Sequence, residues 1–135
     1  MTAITTYATY TAALAALSVS GVTRKYTEPP ASIGTADLPA MWPSLPHGSE
    51  TPLTFAGGGG WPVLVCDLVI AIEAVNQGTQ AQNYAAMIAQ LDYMNTALRA
   101  ASIGRAKLSW TITANAQVQV ADTTYWAVIA TIEGR

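Results

Sequence analysis

The stretch "WPVLVCDLVIAIEAV", residues 61–75, decides the fold. Its alternate positions Leu64, Cys66, Leu68, Ile70 and Ile72 are all apolar, so one face of a β-strand must lie in a core. The interleaved positions Val63, Val65, Asp67, Val69, Ala71 and Glu73 mix apolar with acidic residues, as a sheet face half covered by a neighbour would. Asp67 and Glu73 also interrupt the run well short of the ~20 apolar residues a membrane-crossing helix needs.

Working outward, "GTQAQNYAAMIAQLDYMNTALRAAS" (78–102) predicts a helix. Thr79 is its cap, Tyr84, Met87, Leu91, Met94 and Leu98 form its apolar stripe, and Gly104 ends it. Beyond it, "AKLSWTIT" (106–113) alternates like a strand. "AQVQVAD" (116–122) and "TYWAVIATIEG" (124–134) complete a strand region with a turn at Ala121 and Asp122. On the other side, residues 4–19 carry Ile4, Tyr7, Tyr10, Leu14 and Leu17 at helical spacing. "VTRKYT" (22–27) reads as a short strand whose Arg24 and Lys25 mark a sheet edge or rim. Residues 52–55 read as a further strand leading into the glycines 57–60, a hinge or hairpin tip. The expected architecture is a single α+β domain over 1–135. Its sheet, mixed or antiparallel, has about four or five strands, with two helices packed on one face.

Between the first two strands lies a long irregular segment, about 27–51, which includes "EPPASIGTADLPAMWPSLPHG" (28–48) with five prolines. Proline blocks helix interiors and central strands, yet Ile33, Leu38, Met41, Trp42 and Leu45 are apolar and leave water readily. Thr35 and Asp37 allow one helical turn inside it. An oily segment without periodicity must press against something. The expectation is a stiff arm that docks on a neighbouring copy through Leu38, Met41, Trp42 and Leu45, with Trp61 beside them. The alternative is that Trp42 tucks back over its own sheet.

Composition narrows function. Of 135 residues, 51% are hydrophobic and 10% charged, which is too oily and too uncharged for a disordered chain. So few charges suit a surface that neighbours cover. Arg24, Lys25, Arg99, Arg105, Lys107 and Arg135 are scattered, and net charge is -2, so no basic stripe exists for reading nucleic acid. Cys66 is the one cysteine, which excludes an internal disulfide and a multi-cysteine zinc site. The N-terminus lacks the basic start of a signal peptide, and the final "IEGR" reads either as a protease-site tag or as the native end of the last strand.

A search for chemistry yields no catalytic, cofactor or metal residues. His47, the single histidine, lies between Pro46 and Gly48 and reads as an exposed loop residue. The glycine run lacks the Lys-Ser/Thr of a phosphate-binding loop. Asp67 and Glu73, six residues apart on one strand face, stand roughly 20 Å apart, too far for a catalytic pair.

The phrases "SGVTRKYTEPPASIGTADLPAMWP", "GGGGWPVLVCDLVIAIE" and "YWAVIATIEG" resemble tail terminator proteins of tailed bacteriophages, also described as tail-completion or neck proteins. The likeness covers about two thirds of the chain, most closely 22–46 and 61–74. It implies a small structural virion protein, not an enzyme, assembled in the host cytoplasm into a ring, commonly of six copies. Such a ring caps the tail tube and meets the head connector, with DNA passing through the lumen unread. No membrane is involved and no cofactor is implied. A head–tail adaptor or stopper, or a minor tail protein, is the nearest alternative. A small ligand-binding or enzymatic α+β domain is a more distant one, with His47, Asp67 and Glu73 as its available polar groups.

Overall fold

A computed structural model describes residues 6–49, 63–101 and 108–134. Helix α1 spans Tyr7–Ala15, and the strands are β1 Arg24–Lys25, β2 Ala40–Pro43, β3 His47–Ser49 and β4 Val63–Ala74. Helix α2 spans Gln80–Ala100, followed by β5 Leu108–Val120 and β6 Thr123–Gly134. The strands form one mixed sheet in the order β1-β2-β4-β6-β5, with β3 beside β4 below β2. Only the β1–β2 pair is parallel; all others are antiparallel. The α+β class is as expected, and the sheet is larger than expected because the proline segment contributes β2 and β3 to it.

β4 is central, and its alternation works as its sequence requires. Leu64, Cys66, Leu68 and Ile70 are fully buried on one face, beneath both helices. Tyr10 and Leu14 of α1 and Met87, Met94 and Leu98 of α2 complete that core. The Tyr10 hydroxyl donates to the Ile132 carbonyl at 2.9 Å, tying α1 to β6. Thr79 begins α2 with a reciprocal cap: its hydroxyl accepts from the Gln82 N–H, and the Gln82 side chain accepts from the Thr79 N–H. The buried stripe of α2 is Asn83, Met87, Gln90, Met94 and Leu98. It is thus rotated from the expected one: Tyr84 is 66% exposed and Leu91 half-buried. Two amides take those inner positions because each finds a carbonyl: Asn83 donates to Thr79 at 2.9 Å, and Gln90 to Ser20 at 3.0 Å.

The second face of β4 is also closed over its upper half. Val69 and Ala71 pack with Trp42 of β2 and Tyr125 and Ala127 of β6. Tyr26, Ile33 and Leu38 lie over that cluster. The segment between β1 and β2 is therefore a lid on the chain's own sheet, including a single 3-10 turn at Thr35–Asp37. Met41 is fully buried and Trp42 is 4% exposed, so the expectation that these two dock on a neighbour is corrected. The alternation of β2 sends Met41 to the helix face and Trp42 to the lid face. The expected strand at 52–55, the glycines 57–60, Trp61 and Arg135 lie outside the described residues.

Two register shifts explain where the sequence pattern breaks. One, between Thr113 and Ala116, keeps β5 a single thirteen-residue strand while exchanging which positions face the helices. Ile112 packs toward the helices, and Val118 toward the lid. The other, between Ala71 and Glu73, pairs Glu73 with Trp126, a residue of the helix side. Glu73 therefore leaves the face that carries Asp67. The β5–β6 turn places Ala121 at φ 54°, a left-handed conformation that costs a non-glycine residue roughly 1–2 kcal/mol.

The buried positions generate two predictions. Trp42→Ala should lower stability by about 3–5 kcal/mol in urea unfolding, the range for deleting a core aromatic. Burial and then the neighbouring Asp67 carboxylate push the Cys66 thiol up to about 11 from 9.0, against a weaker lowering from a backbone hydrogen bond of Ser44. The folded state therefore holds this proton where the unfolded state releases it, so Cys66 contributes stability below pH 9 that is lost as pH rises toward 11. The slope of unfolding free energy between pH 9 and 11 should be negative in the native chain and shallower in Cys66→Ala, measured by urea melts across that range.

Candidate interaction surface

With the helix face of β4 and the upper half of its second face occupied, the open surfaces among the described residues are the lower second face and the two edges of the sheet. β5 forms one edge. Among the described residues its strand neighbour is β6 alone, so the backbone groups on its outer side face away from the sheet. Residues 108–120, "LSWTITANAQVQV", contain no charge and no proline. Natural edge strands are commonly guarded by lysine, proline, shortness or a bulge; of these β5 has only the irregularity between Thr113 and Ala116. Helix α2 lies above it: the Trp110 indole donates to Asn95 Oδ1 at 2.9 Å. Tyr84, Ile88 and Leu91 share the Asn95 side of α2 by helical spacing, and Tyr84 and Ile88 are 66% and 42% exposed. This flank thus combines an open strand with an apolar helical stripe.

The opposite edge is uneven. Its upper part is β1, a two-residue strand carrying the exposed cations Arg24 and Lys25. Its lower part is β3, which pairs with β4 through His47, Gly48 and Ser49. Pro43 and Pro46 break the chain between β2 and β3, and Leu45 projects there 87% exposed. The Tyr7 ring of α1 lies beside Gly48: a β-carbon there would meet the Val63 carbonyl and fall 2.7 Å from the Tyr7 hydroxyl. Tyr7 is itself 43% exposed. Of the five expected interface residues, Leu45 is therefore open, Leu38 half-buried under the lid, Met41 and Trp42 enclosed, and Trp61 outside the described residues.

The polar groups singled out from the sequence do not converge. His47 is exposed on β3. Asp67 accepts from the Thr131 hydroxyl at 2.7 Å on the uncovered half of the second face, among Val63, Val65, Ser109 and Thr111. Glu73 lies at the upper end of the sheet, where a β-carbon on Gly78 would meet its carboxylate at 2.6 Å and Asn83 Nδ2 at 2.9 Å. Gly78 is thus required by close approach, and its carbonyl accepts from the Trp126 indole at 2.9 Å. A cavity of about 430 Å³ opens beside Glu73, between the lid (Ile33, Thr35, Leu38) and the residues Asn76, Gln77 and Tyr125. Sequence reasoning missed it because its walls come from three separate parts of the chain.

Among the described residues no three of His, Cys, Asp and Glu gather as metal ligands, and no helix is long and apolar enough to cross a membrane. Comparison with models of protein families, with characterised proteins and with solved structures finds no match to this chain.

Proposed function

We propose that the chain is a structural virion protein, not an enzyme, that forms a ring at the head-proximal end of a phage tail. In this reading the ring caps the tail tube and joins it to the head connector, and DNA passes through its lumen without sequence recognition. The observation that carries the reading is a sheet with two edges that are unlike and, among the described residues, open: β5 on one side and β3 with Leu45 on the other. Unlike patches on opposite sides of a subunit make heterologous contacts, and these close into rings when the rotation allows. The resemblance of 22–46 and 61–74 to tail terminators supports the same assignment. The stiff arm of the expected account shrinks to its tip: Leu45, held outward between Pro43 and Pro46, is the part left for a neighbour. Six copies is the number the resemblance implies. An adaptor or stopper position uses the same lateral contacts one ring closer to the head.

The cavity beside Glu73 supports a second reading, a small-ligand site, which native mass spectrometry of the purified chain tests by the presence of a retained mass. For the ring, negative-stain electron microscopy of the concentrated protein, alone and with tail tubes, is the direct test. Rings with a lumen wide enough for duplex DNA, seated on tube ends, are expected. Uniform single particles with bare tube ends would overturn the assignment.

A further inference from the structure

We propose that adjoining copies meet by continuing the sheet, the β5 edge of one copy against the β3 edge of the next, with Tyr84 and Ile88 of α2 packing against Tyr7 and Leu45. The inference rests on the ring reading and names the two surfaces that would make it.

The exposed large apolar side chains are sorted. Among the described residues they are Tyr7, Leu45, Tyr84, Ile88 and Tyr93. Tyr93 lies along Gly21, whose β-carbon would stand 3.2 Å from its ring. The other four divide between opposite edges: Tyr84 and Ile88 stand beside β5, and Tyr7 and Leu45 beside β3. Among the described residues each edge thus offers open backbone and an apolar pair on one molecule. Backbone groups at an open strand edge call for another strand. The charge pattern agrees. Residues 108–120 and 40–49 contain no Asp, Glu, Lys or Arg, whereas β1, which the contact leaves aside, consists of two cations. Pro43 and Pro46 withhold their donors, so pairing on that side centres on His47–Ser49 and ends there.

A contact between unlike edges makes a specific prediction for mixtures. Tyr84→Glu disables the β5 flank and Leu45→Glu the β3 flank; both side chains are mostly in water, so thermal unfolding should stay as in the parent. Each variant alone should need at least tenfold higher concentration than the parent to assemble, by size-exclusion chromatography with light scattering. Mixed, they should give a one-to-one dimer and nothing larger, because only one pair of intact flanks remains. If Leu45→Glu assembles like the parent while Tyr84→Glu does not, β5 pairs with itself or another partner and the inference is overturned. If both assemble like the parent, the contact is overturned while the ring stands. If the parent stays monomeric at every concentration and on tail tubes, the ring reading falls and takes the contact with it.

Discussion

Everything in this structure depends on β4 being enclosed on both sides. Its first face carries Leu64, Cys66, Leu68 and Ile70, all fully buried, and its second carries Val69 and Ala71, almost as deep. A strand buried twice needs two covers. The helices supply one, and the chain before β2 supplies the other, since Tyr26, Ile33 and Leu38 are the apolar residues available near Trp42. Each buried aliphatic side chain contributes about 1.5–3 kcal/mol relative to exposure, so neither cover is optional. Once both are in place, the surfaces free for other molecules are the sheet edges and the lower second face.

How much of this the sequence discloses follows from which forces are local. β4 and α2 are legible because their alternation and capping are written within a few residues: Thr79 and Gln82 meet the cap pattern, and 64 to 72 alternate without error. The stripe of α2 is misread at Tyr84 because Asn83 and Gln90, polar by type, are satisfied by carbonyls of Thr79 and Ser20 that no window on the helix reveals. The proline segment is misread for a similar reason. Prolines argue against a strand only when the lost donor would have paired; β2 carries Pro43 at its end, so Ala40, Met41 and Trp42 still pair with β4. The alternative that Trp42 folds back over its own sheet is the one observed.

The interface residues show the same division. Hydrophobic type alone puts Leu38, Met41, Trp42 and Leu45 together, but strand parity and the lid separate them: two are enclosed, one is half-covered and Leu45 stands in water. The β5 flank is hidden in the sequence because Tyr84 falls at helical spacing with Met87, Leu91, Met94 and Leu98 and so reads as core. The signal that was present is the absence of charge and proline across 108–120, unusual for a strand that ends a sheet.

The central claim is that association runs along the sheet edges, since the helix face and the upper half of the second face are already covered. Amide hydrogen exchange of assembled against dilute protein tests it most directly, since an amide that gains a strand partner slows its exchange. The account predicts new protection in residues 108–120 and 47–49, with the lid residues 26–38 unchanged. Protection gained across 26–38 while β5 exchanges as before would contradict it.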